Sequence, residues 1–140
     1  MVALSAADYG SRQSYYRYLF VIGAIWNIVI ALGFLFLPNV ALNLFQLQVP
    51  TISVWFQLFF ALVLVFGLGY YWVSRNLRKN HAVVGMGIIG KVLVFFILGY
   101  HWLTGGVSTL TAMAGVGDLV FAILFTEFLI RNPGGRETEQ

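Results

Sequence analysis

The sequence predicts an all-α fold: a four-transmembrane-helix bundle with both termini on the cytoplasmic side (N-in/C-in). Three observations carry that reading. First, the 140-residue chain is 60% hydrophobic and only 9% charged, where a soluble domain carries about 25% charged residues. Its mean hydropathy is +0.86, so there is too little polar surface to cover a water-soluble globule. Second, four apolar stretches reach the length needed, because about 20 helical residues span roughly 30 Å of hydrocarbon. Third, the basic residues gather in alternate loops, as membrane-flanking charges do.

The chain begins MVALSAADYGSRQSY, which lacks an apolar core after a basic start, so no cleavable signal peptide is expected. Span one runs from about Tyr18 to Leu37 and ends at Pro38. The segment PNVALNLFQLQVP (38–50) is too short to cross. Val40, Leu44 and Leu47 share one side at helical spacing, with Phe45 nearby, which predicts a short outer interfacial helix between spans 1 and 2. Span two covers about Ser53 to Val73, and span three about Ala82 to Trp102, after the basic loop SRNLRKNH. Span four covers about Thr109 to Ile130 and is stopped by Asn132-Pro133-Gly134-Gly135. Ser108, Thr109 and Thr111 suit its start. The whole chain, 1–140, is expected to be a single membrane domain with a flexible tail over 133–140. A membrane barrel is a poor alternative, because the runs do not alternate and are about twice a barrel strand's length.

Arg12 and Arg17 precede span one, Arg75, Arg78 and Lys79 separate spans two and three, and Arg131 and Arg136 follow span four. The other two loops, 38–52 and 103–108, carry no charge. Seven of the eight Lys/Arg residues thus fall on one side, which the positive-inside rule makes cytoplasmic. Trp55, Tyr100 and Trp102 suit the outer interface, and Tyr15, Tyr16, Tyr18, Tyr70, Tyr71 and Trp72 the inner one. The basic clusters are membrane flanks, so no nucleic-acid partner is expected.

The eighth basic residue, Lys91, lies inside span three. Asn27, Lys91 and Asp118 each sit nine residues into their spans, a depth of about 14 Å and so close to the midplane. Each has small neighbours: Gly23, Ala24 and Ala31 around Asn27, Gly87 and Gly90 before Lys91, and Ala112, Gly115 and Ala122 in line with Asp118. Small residues let membrane helices approach closely, leaving the bulky Phe and Leu side chains to face lipid. An isolated charge at that depth costs at least about 2.5–3.5 kcal/mol. The expectation is a Lys91–Asp118 ion pair assisted by Asn27. As a neutral, closed unit it would fix the register of spans three and four. A ligand or substrate pocket, or a proton or ion path, are the alternatives.

Gln57, near the outer end of span two, is expected to hydrogen-bond into the bundle, with the lining of an outer vestibule as the alternative. Glu127 and Arg131 lie one turn apart and predict a local ion pair. His81 and His101 stand at opposite ends of span three, about 30 Å apart, so they cannot share a haem or metal. The absence of cysteine excludes disulfides, thiol redox chemistry and Cys-ligated zinc or iron–sulfur centres. Gly87, Gly90, Gly115 and Gly117 lie within spans and lack the strand that a phosphate loop needs. With no nucleophile beside a base, no paired carboxylates and no metal-ligand cluster, no catalytic residue, metal or enzyme activity is predicted. No cofactor is predicted either, although a lipid, quinone or pigment could sit at the lipid-facing surface.

The ordered series Trp26-Asn27, Leu37-Pro38, Gly67-Leu68-Gly69-Tyr70, Arg75, Gly90-Lys91 and Gly117-Asp118-Leu119 with Phe121-Ala122 resembles a group of small, largely uncharacterised bacterial inner-membrane proteins. In architecture the chain is also similar to the DoxX-like four-helix proteins, some of which accompany redox enzymes. The resemblance implies a multi-pass bacterial inner (plasma) membrane location and makes Asn27, Lys91 and Asp118 the shared intramembrane polar positions. The expected function is an accessory or structural subunit of a larger membrane complex. Its partners would be the lipid bilayer and other membrane subunits, in a homo- or hetero-oligomer. The alternative is a small oligomeric transporter or channel using the midplane cluster.

Overall fold

The computed structural model describes residues 6–133. They form five helices: α1 (Ala6–Phe36), α2 (Pro38–Leu44), α3 (Ser53–Arg75), α4 (His81–Leu103) and α5 (Thr109–Arg131). Four are long and apolar enough to cross a membrane: Gly10–Phe36 within α1, and α3, α4 and α5 over their full lengths. The chain is therefore an all-helical, multi-pass membrane protein. The expected tail falls mostly at 134–140, outside the described residues, as does Arg136.

Spans two to four keep their expected bounds to within two residues. The first does not, since α1 begins at Ala6 rather than Tyr18. Tertiary packing extends it: the Tyr16 ring meets Phe128 edge-on with centroids 5.1 Å apart, and Phe20 stacks on Phe125 at 4.7 Å. Pro38 then acts at both helix ends. It holds Leu37 out of helical geometry (φ −126°, ψ 52°) and starts α2 as its first residue. The interfacial helix is shorter than the 38–50 segment suggested. After Leu44 the chain closes with a Schellman turn: Leu47 N donates to Leu42 O at 2.9 Å and Gln46 N to Asn43 O at 3.2 Å. Gln46 takes the left-handed conformation this requires, with φ 54°. Ala41 and Leu42 are buried, while Val40 and Leu44 are exposed.

The chain forms two helix pairs, α1 along α3 and α4 along α5, which meet more sparingly through α3–α4 and α1–α5. Gly67 permits the first close approach. A Cβ there would lie 2.8 Å from Ile28 Cγ1 and 3.1 Å from Asn27 Cβ. Chain direction puts the α1–α3 and α4–α5 connections at one end, the α2 end. The α3–α4 loop with Arg78 and Lys79 lies at the other, the basic end.

Phenylalanine does not simply face lipid, as small-residue packing had suggested. Phe20, Phe125 and Phe128 join Tyr16, Tyr70, Val73 and Val84 in a buried cluster toward the basic end. Phe34 and Phe60 join Ala41 and Leu42 in another at the α2 end. Helices without a hydrophobic drive between them associate through van der Waals contact, and interlocking rings supply it. The lipid-facing surface is dominated instead by Ile, Val and Leu, with Phe36, Phe59 and Phe96. Tyr16 and Tyr70 belong to the interior, each 1% exposed, rather than to the interfacial belt. Tyr15, Tyr18, Tyr71 and Trp72 do keep exposed surface.

Candidate functional site

Between the two clusters the midplane residues meet. Lys91 Nζ donates to Asp118 Oδ1 at 2.5 Å and to Asn27 Oδ1 at 3.1 Å. Asn27 Nδ2 in turn donates to the Val63 carbonyl at 3.3 Å. Lys91 and Asp118 belong to one helix pair and Asn27 to the other, so the Lys91–Asn27 bond ties the pairs together. Three consecutive requirements produce this arrangement. Helical spacing puts Asp118 in line with Gly115 and Ala122, both buried. Gly67 lets α3 come close enough for Val63 to reach Asn27. The antiparallel course of α4 and α5 brings two residues placed mid-helix to one level.

The ammonium has aromatic company that sequence reasoning missed. Nζ lies 5.5 Å from the centroid of the Tyr70 ring and 5.2 Å from that of Phe121, within cation–π range. Tyr70 is held against α4 by Gly87, where a Cβ would fall 2.6 Å from the Tyr70 hydroxyl oxygen and 2.7 Å from Cε1. The signal was available: Tyr70 follows Val63 and Gly67 along the α3 stripe that faces α1, so its side chain points inward.

The second omission is a cavity of about 510 Å³, which borders Asn27, Lys91 and Asp118. Its walls are almost wholly apolar and include Trp26, Phe34, Phe60 and Phe66. Phe45 and Leu47 from the loop after α2 line it at the α2 end. That loop is latched to α5, since Ser108 Oγ and Thr111 Oγ1 both donate to the Phe45 carbonyl at 2.8 Å. Ser108 also caps α5, accepting from Thr111 N at 3.2 Å. On one flank Phe59 and Leu62 of α3 and Leu93 and Ile97 of α4 belong both to the cavity lining and to the exposed surface. The cavity therefore opens sideways between α3 and α4, toward lipid. Toward the basic end the Tyr16–Phe128 cluster closes it.

Glu127 and Arg131 form the expected pair, with Arg131 Nε 3.0 Å from Glu127 Oε1, both partly exposed. Gln57 departs from expectation: it is exposed and makes no side-chain hydrogen bond into the bundle. Phe56, Phe60 and Val63 hold the inward face of α3, and Gln57 lies about 100° round the helix from Phe56. His81 Nε2 donates to the Leu77 carbonyl at 2.9 Å, and His101 is exposed at the opposite end of α4. Among the described residues no group of three His, Cys, Asp or Glu side chains is disposed to hold a metal ion.

The chain matches no protein-family model, no curated protein and no solved structure. Function must be argued from the site itself.

Proposed function

We propose that this protein is a non-catalytic membrane component that holds one membrane-dissolved molecule in the cavity between its helix pairs, acting as an accessory subunit of a larger membrane assembly. The observation that carries the reading is the cavity: about 510 Å³, apolar, floored by Lys91, Asp118 and Asn27 and open between α3 and α4. Its volume is that of a site for a single small ligand, and apolar walls with a few convergent polar groups are the usual make-up of such sites. A purely structural ion pair needs no space beside it. Conduction is less well supported, because Asp118 is already paired and buried aromatic side chains fill the basic half. The accessory role rests on the broad apolar surface and on the lack of a nucleophile–base pair among the described residues. A bacterial inner-membrane setting, with the basic end cytoplasmic, rests on the charge asymmetry of the loops.

Gly90 supplies the test. It borders the cavity, and a Cβ there would meet nothing within 4 Å, so Gly90→Phe should fill the space while leaving the ion pair in place. Native mass spectrometry of protein gently extracted from its own membrane should show a bound small molecule on the wild type and none on Gly90→Phe. The same complement on both proteins would refute the reading.

A further inference from the structure

The hydrogen-bonding capacity of the cavity floor defines what it would take. Lys91 has three N–H donors, two of them used by Asp118 and Asn27. Asp118 binds Lys91 through Oδ1 alone, and its side chain keeps 17% of its surface accessible beside the cavity. Its second oxygen is thus an acceptor without a protein partner among the described residues. Tyr70 also lines the cavity, and its hydroxyl, which keeps a little accessible surface, makes no hydrogen bond to another described residue. The floor therefore offers one carboxylate acceptor together with ammonium and phenol hydrogens.

Charge narrows the choice. Lys91 and Asp118 cancel, and Asn27 is neutral, so the floor has no net charge with which to compensate an ionic head group at the midplane. A buried ion without a countercharge is strongly disfavoured there. Among neutral groups a carbonyl only accepts, and would leave the Asp118 oxygen unmatched. A hydroxyl both donates and accepts, so it can give its hydrogen to Asp118 and receive one from Lys91 or Tyr70. Aromatic walls and a flank open to lipid suit an apolar body arriving from the bilayer rather than from water.

We propose that the cavity selects an uncharged lipid-phase alcohol, which enters between α3 and α4 and places its hydroxyl between Asp118 and the Lys91–Tyr70 donors. This rests on the ligand-holding reading above and specifies the ligand's chemical class. Trp26 borders the cavity beside Asn27, whereas Trp55, Trp72 and Trp102 are exposed. A Trp55→Phe/Trp72→Phe/Trp102→Phe protein thus reports on the cavity through Trp26 alone. Reconstituted in phosphatidylcholine vesicles, it is titrated with dodecanol, dodecanoate and dodecyltrimethylammonium, each brominated beside the polar head to quench tryptophan. The alcohol should quench saturably at a membrane concentration roughly tenfold or more below either ion, and Gly90→Phe should remove the saturable part. Tyr70→Phe should weaken the alcohol several-fold. Asp118→Asn, which leaves the floor positive, should turn the preference toward dodecanoate. Equal or stronger binding of an ion by the unaltered floor would overturn the alcohol assignment while leaving a ligand-holding cavity in place. Saturable quenching by none of the three, or quenching untouched by Gly90→Phe, would overturn both.

Discussion

Lys91 carries a charge where hydrocarbon tolerates none alone, and its neighbours are what make that possible. Asp118 at 2.5 Å supplies the countercharge and Asn27 at 3.1 Å a second acceptor, while the Tyr70 and Phe121 rings lie within cation–π range of the ammonium. Removing one charge strands the other. Asp118→Asn should therefore lower stability by about 3 kcal/mol in mixed-micelle unfolding. The double substitution Lys91→Met/Asp118→Leu should recover most of that loss, because neither partner is then left unpaired. A double variant no more stable than the single would show that the net attraction of the pair, rather than the cost of a stranded charge, dominates. Depth and charge made Asn27, Lys91 and Asp118 legible from the sequence. Tyr70 was missed because a tyrosine near a helix end satisfies the rule for interfacial aromatics equally well, although its place in line with Val63 and Gly67 already turned it inward.

Packing between helices is governed by which glycines face a neighbour. Gly87 and Gly90 lie one turn apart on α4 and look interchangeable in the sequence. A Cβ on Gly87 would strike the Tyr70 ring, whereas one on Gly90 would meet nothing within 4 Å. Gly87→Ala should cost about 1–3 kcal/mol through overpacking. Gly90→Ala should be neutral or gain up to about 1 kcal/mol from helix propensity, a contrast measurable in the same unfolding experiment. Equal effects would mean that Tyr70 is not held against α4. Among the elements themselves, α3, α4 and α5 were readable almost to the residue, because apolar length and flanking charge both mark a membrane span. The early start of α1 was not, since Ala6–Arg17 is too polar to announce a span and joins the helix as its continuation, secured by Tyr16 against Phe128.

At the scale of the molecule, two tightly packed helix pairs meet along a sparser seam, and the cavity lies in that seam. The α2 end is latched through the Phe45 carbonyl and the basic end is filled by aromatic side chains, so the bilayer is the route left open. The orientation proposed from the basic loops has a direct check, since the chain contains no cysteine. In intact cells a membrane-impermeant maleimide should label Gln48→Cys, in the loop after α2, and spare Asn76→Cys, between α3 and α4. The opposite pattern would invert the topology.

The sequence by itself determined that the chain is membrane-embedded, how many times it crosses and which polar residues share the midplane. Those are one-dimensional properties: the apolar run length needed to span hydrocarbon, the alternation of charged loops and the fixed rise of a helix. Whether the Lys91–Asp118 pair sits in a closed core or beside a space was decided only by tertiary structure. The sequence favoured a closed core, because small-residue stripes on every polar face suggest helices drawn equally close. In the fold they are not: Gly67 draws α1 onto α3 and Gly115 lets α4 approach α5, but the two pairs meet each other far more sparsely. How far helices separate depends on which side chains meet across a seam, and residue spacing within a single helix does not contain that information.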